Sequence, residues 1–141
     1  MRRLVPVLLL LLSQPLMGVS GCLNSSCPAV PDGPLEAGVW GGSHWRFDVD
    51  SEGFVEVETD CAHGSSLAEV LTEGNAVSFE ITMVGEGGPD AYQVDAAGTV
   101  PATVTGTLCD GTLTFTVTDS EGAISEGSVT HGSEGELFKC L

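Results

Sequence analysis

Apolar and polar residues alternate with period two through most of the chain after residue 44, and no stretch of useful length carries the 3.6-residue period of an amphipathic helix. Trp45, Phe47 and Val49 alternate with Arg46, Asp48 and Asp50, and Val55 and Val57 alternate with Glu56 and Glu58. Between these runs, Ser51-Glu52-Gly53 reads as a three-residue loop with Gly53 left-handed. It predicts the pairs Val49–Val55, Phe47–Val57 and Trp45–Thr59. All the large apolar side chains then share one face. On the other face Arg46 lies opposite Glu58, His44 opposite Asp60, and Asp48 opposite Glu56. The last pair sets two carboxylates side by side, which is unfavourable unless a cation is present.

The period continues. Val77, Phe79, Ile81 and Met83 alternate with Ser78, Glu80 and Thr82, and Asp110-Gly111 is a strong two-residue hairpin signal. That turn sets Leu108 opposite Leu113, Gly106 opposite Phe115 and Val104 opposite Val117, with threonines lining the outer side. Asp50-Ser51-Glu52-Gly53 recurs as Asp119-Ser120-Glu121-Gly122. A turn there brings Gly127 opposite Phe115 from the other side, so that the ring covers glycine backbone on both flanks. The expected strands run over 44–50, 54–60, 66–72, 76–84, 99–109, 112–118, 123–130 and 136–140. The fold class is therefore all-β, a small antiparallel meander barrel of about eight strands, with a small β-sandwich as the alternative. The stretch from Gly85 to Gly98 lacks strand character and holds Gly87, Gly88, Pro89 and the single tyrosine, Tyr92. These are the candidates for a binding loop on a rigid sheet.

The beginning of the chain obeys other rules. Met1-Arg2-Arg3 followed by the apolar run Leu4 to Leu12 reads as a secretory signal peptide over residues 1–21. Val19-Ser20-Gly21-Cys22 resembles the lipobox of bacterial lipoproteins, which implies a lipid on Cys22. Assigning Cys22 to lipid leaves Cys27, Cys61, Cys109 and Cys140, an even set that suits two disulfides in an oxidising compartment. Residues 22–37, with three prolines and no periodicity, read as a flexible tether, and residues 38–141 as the barrel domain.

Charge and motif content then exclude several classes. All 20 acidic residues follow the signal segment, where only Arg46 and Lys139 oppose them, a formal charge of −18. Such a surface repels nucleic acid and anionic head groups. No Gly-x-Ser-x-Gly elbow and no Cys-x-x-Cys pair occurs among the four paired cysteines, so the chain reads as non-enzymatic and without cofactor. In an up-and-down order His44 and His63 fall at one end of the barrel and His131 at the other. His44, Asp60 and His63 form a candidate zinc set, and Asp48 and Glu56 a candidate cation neighbourhood. A plain His44–Asp60 ion pair is the simpler reading.

The pattern Gly-x-Trp-Gly-Gly-x-His at 38–44, Asp-Cys-Ala-His-Gly at 60–64, Gly-Gly-Pro at 87–89 and Lys-Cys-Leu at 139–141 resembles a family of small exported bacterial proteins without an assigned activity. Gly38-x-Trp40 also resembles the first strand of lipocalin- and avidin-type barrels, where the tryptophan plugs one end. Cys27 and Cys109 lie outside the family pattern. In the expected strand order Cys61 and Cys140 end strands at the same rim, while Cys109 lies at the opposite rim within reach of Cys27, so the expected bridges are Cys61–Cys140 and Cys27–Cys109. The function expected is a monomeric binding module, lipid-anchored at Cys22 outside the cytoplasm on a bacterial membrane, the outer membrane in the first instance. Its partner would be a small apolar ligand or an envelope protein. The alternative is a purely structural lipoprotein with a filled barrel.

Overall fold

The computed structural model describes residues 27–86 and 98–140. Cys22 and the loop candidates Gly87, Gly88, Pro89 and Tyr92 lie outside the described residues. Ten strands form: β1 Gly33–Pro34, β2 Gly38–Gly41, β3 Trp45–Val49, β4 Val55–Thr59, β5 Ala62–Ser66, β6 Leu71–Glu73, β7 Ala76–Gly85, β8 Val100–Cys109, β9 Thr112–Asp119 and β10 Ile124–His131. Eight of them close into an antiparallel barrel in the order β7-β5-β4-β3-β2-β10-β9-β8, with β8 returning to β7. Outside the ring, β6 pairs with the start of β7 and β1 pairs with β6. Closure removes the exposed strand edges that a sandwich would have to protect.

Where local sequence sets the register, expectation and structure coincide. Val49 pairs with Val55, Phe47 with Val57 and Trp45 with Thr59, and Gly106 and Gly127 flank Phe115 from β8 and β10. The repeated Asp-Ser-Glu-Gly segments fold into matching turns. Asp50 Oδ1 accepts from the backbone N–H groups of Glu52 and Phe54 at 2.8 and 3.0 Å, and Asp119 Oδ1 accepts from those of Glu121 and Ala123, both at 2.9 Å. Gly53 and Gly122 take the left-handed conformation, with φ of 85° and 84°, that lets each chain return into its strand.

Three elements differ from expectation. The third strand runs over 62–66, with a separate piece at 71–73, instead of 66–72. Its inward positions are Ala62, Gly64 and Ser66, too small to announce a strand by apolar alternation. The ring also takes in β2, four residues long, which pairs through Trp40 with Phe47 on one side and with His131 on the other. By contrast, residues 136–140 are not a strand of the ring. Gly132 and Gly135, with φ of 80° and 75°, turn the chain off the sheet, and one isolated parallel bridge, Ser43 to Glu136, is its only ladder contact among the described residues. The count of eight therefore stands with one member exchanged for another.

The tether expectation is corrected as well. Residues 27–37 pack across the Cys109 end of the barrel: Leu35 is 1% exposed and belongs to the core, and its N–H donates to the Val70 carbonyl at 2.9 Å. Thr72 Oγ1 donates to the carbonyls of Pro31 and Gly33 at 3.0 and 3.1 Å, and Asn75 Nδ2 to those of Pro28 and Leu108 at 2.9 and 2.7 Å. Leu35 has no periodic neighbours in sequence, so only packing against β6 reveals it as a core residue.

The interior is filled by rings. Phe47 and Phe115 sit with centroids 4.9 Å apart, and Trp45 meets Phe115 edge-on at 5.1 Å. A Cβ on Gly127 would come within 2.6 Å of Phe115 and 2.8 Å of Trp45, so glycine is required there. Trp40 is 1% exposed, donates from its indole nitrogen to the Glu36 carbonyl at 2.9 Å, and packs on the His131 ring.

Candidate functional site

Polar side chains gather at the end of the barrel where β4 passes into β5, next to a disulfide between Cys61 and Cys140. Their placement follows from the pleat. Odd-numbered residues of β3 and β4 and the even-numbered residues of β5 point inward, so Arg46, Asp48, Glu56, Glu58, His63 and Ser65 all face outward in adjoining rows. His63 pairs in register with Glu58 on one side and Val84 on the other. An open groove of about 540 Å³ follows this face, lined by Asp48, Glu56, Glu58, His63, Thr82 and Glu86 among others.

Asp48, Glu58 and Glu86 of this face have partners. Asp48 receives Arg46 in two contacts, Nε to Oδ2 at 2.9 Å and the second guanidinium nitrogen to Oδ1 at 3.1 Å, and a further guanidinium nitrogen lies 3.3 Å from Glu134. The Asp48–Glu56 juxtaposition is thus relieved from within the chain on the Asp48 side. Although Arg46 stands opposite Glu58 in register, Glu58 pairs with Lys139 at 2.6 Å. Lys139 also reaches Glu86 at 3.3 Å and the Thr59 carbonyl at 3.3 Å. His63 Nδ1 lies 2.5 Å from Glu86, and His44 Nδ1 lies 2.5 Å from Asp60.

These contacts fasten residues 132–140 as a strap across the rim. Glu136 N–H donates to the Gly42 carbonyl and His44 N–H to the Glu136 carbonyl, while Phe138 N–H donates to Asp60 Oδ1 at 2.7 Å. The Phe138 ring covers that of His44 at 5.4 Å. Held first by the Phe138 N–H and then by His44, the Asp60 carboxyl sits below its ordinary range despite some desolvation. His63, then Lys139, holds Glu86 below its range, and Glu58, then Glu86, raises Lys139.

Comparison with protein families, with curated proteins and with solved structures finds no match. The site therefore rests on its own geometry. The structure brings together His44 with Asp60, as the register foretold, but directs His63 to Glu86 and Asp48 to Arg46. Among the described residues no group of three or more His, Cys, Asp or Glu side chains is arranged to hold a metal ion. Of the candidate zinc set, His44 and Asp60 adjoin while His63 turns to Glu86, and of the candidate cation neighbourhood Asp48 turns to Arg46. Glu86, Lys139, Glu134 and Phe138 escape sequence reasoning because their partners lie about twenty to ninety residues away and no local period links them. His131 lies at the other end, its Nε2 3.1 Å from the Ala37 carbonyl. Chemically, the face presents Asp48, Glu58 and Glu86 already matched by Arg46, Lys139 and His63, with Glu56 beside them.

Proposed function

We propose that this protein is a non-enzymatic module of the bacterial cell envelope, carried on a lipid at Cys22, that works through its outer surface. The filled interior carries this reading. Toward the Cys61 end, the void lined by Trp45, Met83, Val100 and Val117, with Asp119 and Ser125 at its edge, amounts to about 20 Å³, room for one water molecule and no apolar ligand. A barrel packed with Phe47, Phe79 and Phe115 serves as a rigid body, not a container.

Two disulfides suit an oxidising compartment outside the cytoplasm, and the lipobox resemblance at Val19-Ser20-Gly21-Cys22 supports the anchor. A partner would be an envelope protein met by the acidic outer face, and the purely structural role is the second reading that the filled interior favours. Native mass spectrometry of protein purified from its host is the test. The expected mass is that of the lipidated chain alone, and a retained apolar ligand would refute the outer-surface reading. Cys22→Ser is expected to release the protein from membranes; persistence in the membrane fraction would refute the lipid anchor.

A further inference from the structure

The end of the barrel at which the chain enters is determined by two independent contacts. Cys27 is bridged to Cys109, the last residue of β8, with Cα atoms 5.3 Å apart, and Asn75, in the β6–β7 turn at the same end, donates to the Pro28 carbonyl at 2.9 Å. From Cys22 to Cys27 there are five Cα steps, so the chain spans at most about 18 Å between them. Strand β8, ten residues long, measures about 33 Å at 3.3 Å per residue and stands about 25 Å tall at the usual barrel tilt. Even fully extended, the chain from Cys22 to Cys27 is thus shorter than the barrel is tall.

Resting on the lipid at Cys22 proposed above, we propose that residues 22–27 act as a short leash that seats the Cys109 end of the barrel toward the bilayer and presents the Cys61 end outward. The surface charge acts in the same direction. With a formal −18 over residues 22–141, the barrel is repelled by an anionic bilayer and does not lie flat on it. The leash sets how far that repulsion can push it. The outward end then carries the His44–Asp60 pair, the Lys139 cluster and the strap, the surface available to a partner.

The test uses the lipidated protein in phosphatidylethanolamine–phosphatidylglycerol vesicles that carry an acceptor dye on their head groups. A donor is placed by an unnatural amino acid at Glu73, exposed at the Cys109 end, or at Glu121, exposed in the β9–β10 turn at the Cys61 end. Energy transfer is expected to be several-fold greater from position 73 than from position 121. Equal transfer, or the reverse order, overturns the orientation. Inserting about twenty Gly and Ser residues between Leu23 and Cys27 gives a leash with a reach comparable to the barrel's height, and is expected to erase the contrast. A contrast that survives the insertion overturns the role given to the leash. Vesicle sedimentation is read first: protein that fails to sediment refutes the lipid anchor, whereas sedimenting protein with equal transfer refutes the orientation alone.

Discussion

Residues 27–37 and 132–140 each cross one end of the barrel and each is tied there by a disulfide, yet Leu35 of the first is 1% exposed and Phe138 of the second is 63% exposed. The N-terminal segment is held by burial of an apolar side chain and by hydrogen bonds from Thr72 and Asn75 to its carbonyls. The C-terminal strap is held by charged and polar contacts, Asp60 to the Phe138 N–H and Lys139 to Glu58 and Glu86. Burial persists through changes of acidity and salt. Solvent-exposed ion pairs contribute little and respond to both. The first segment is thus an extension of the core, and the second is a fastening whose hold depends on its bridge.

The largest effect expected is from the bridges. They join residues separated by 82 and 79 positions, so the chain-entropy argument assigns each about 4 to 5 kcal/mol. The near equality of the two loops removes any ranking of one bridge above the other on that ground. Paired Cys→Ala substitutions at 27 and 109, or at 61 and 140, are expected to lower the unfolding free energy by similar amounts in denaturant titrations. Hydrogen exchange separates them: residues 28–36 should keep their protection without their bridge, while residues 133–140 should lose it. Protection retained in 133–140 would break the comparison.

Next come the apolar anchors. Leu35→Ala removes a buried side chain and is expected to cost about 2 to 5 kcal/mol. Phe138→Ala, on an exposed ring, is expected to cost less than about 0.5 kcal/mol. Thermal or chemical denaturation measures both, and comparable losses would mean that the strap is also part of the core.

Acidity gives a smaller, localised effect. Asp60 and Glu86 have folded-state values below their unfolded ones, so the stability they lend is complete above the unfolded value, near pH 4, and is lost as pH falls through the folded value. Exchange protection of 133–140 is expected to be level between about pH 5 and 7 and to decline below about pH 4. Asp60→Asn, which keeps an acceptor for Phe138, should blunt that decline. A strap whose protection is unchanged in acid would show that its charged contacts carry none of its hold.

Salt should produce the smallest change. Screening of a formal −18 is expected to raise the melting temperature modestly between low and physiological ionic strength, while loosening Lys139 from Glu58 and Glu86. A flat melting temperature would indicate that the acidic surface is already neutralised, and a rise specific to calcium would point to bound cations.

Most of the sheet was legible because its determinants are local. Alternation over Trp45 to Thr59, the Asp110-Gly111 turn and the repeated Asp-Ser-Glu-Gly segment dictate pairing between neighbours in sequence, where turn type and the inward face leave one register. Strand β5 was misplaced because Gly64 must leave room beside Thr82 and Met83, so its inward face carries no large side chain to signal it. Of the candidate site, the His44–Asp60 pair was legible from hairpin register. The partners of His63, Glu58 and Asp48 were not. The disulfide pairing followed from which rim each cysteine reaches, although Cys140 arrives there on the strap and not on a strand.

By itself the sequence determined the all-β class, the hairpin registers, the inward aromatic residues and an acidic outer surface, since each follows from the two-residue pleat or from composition. Only the tertiary structure decided that Gly38–Gly41 and not 136–140 completes the ring, that Leu35 enters the core, and that Lys139 lies between Glu58 and Glu86. These depend on segments meeting across tens of residues, where the entropy lost in closing the loop is offset by packing and charge that no local pattern records.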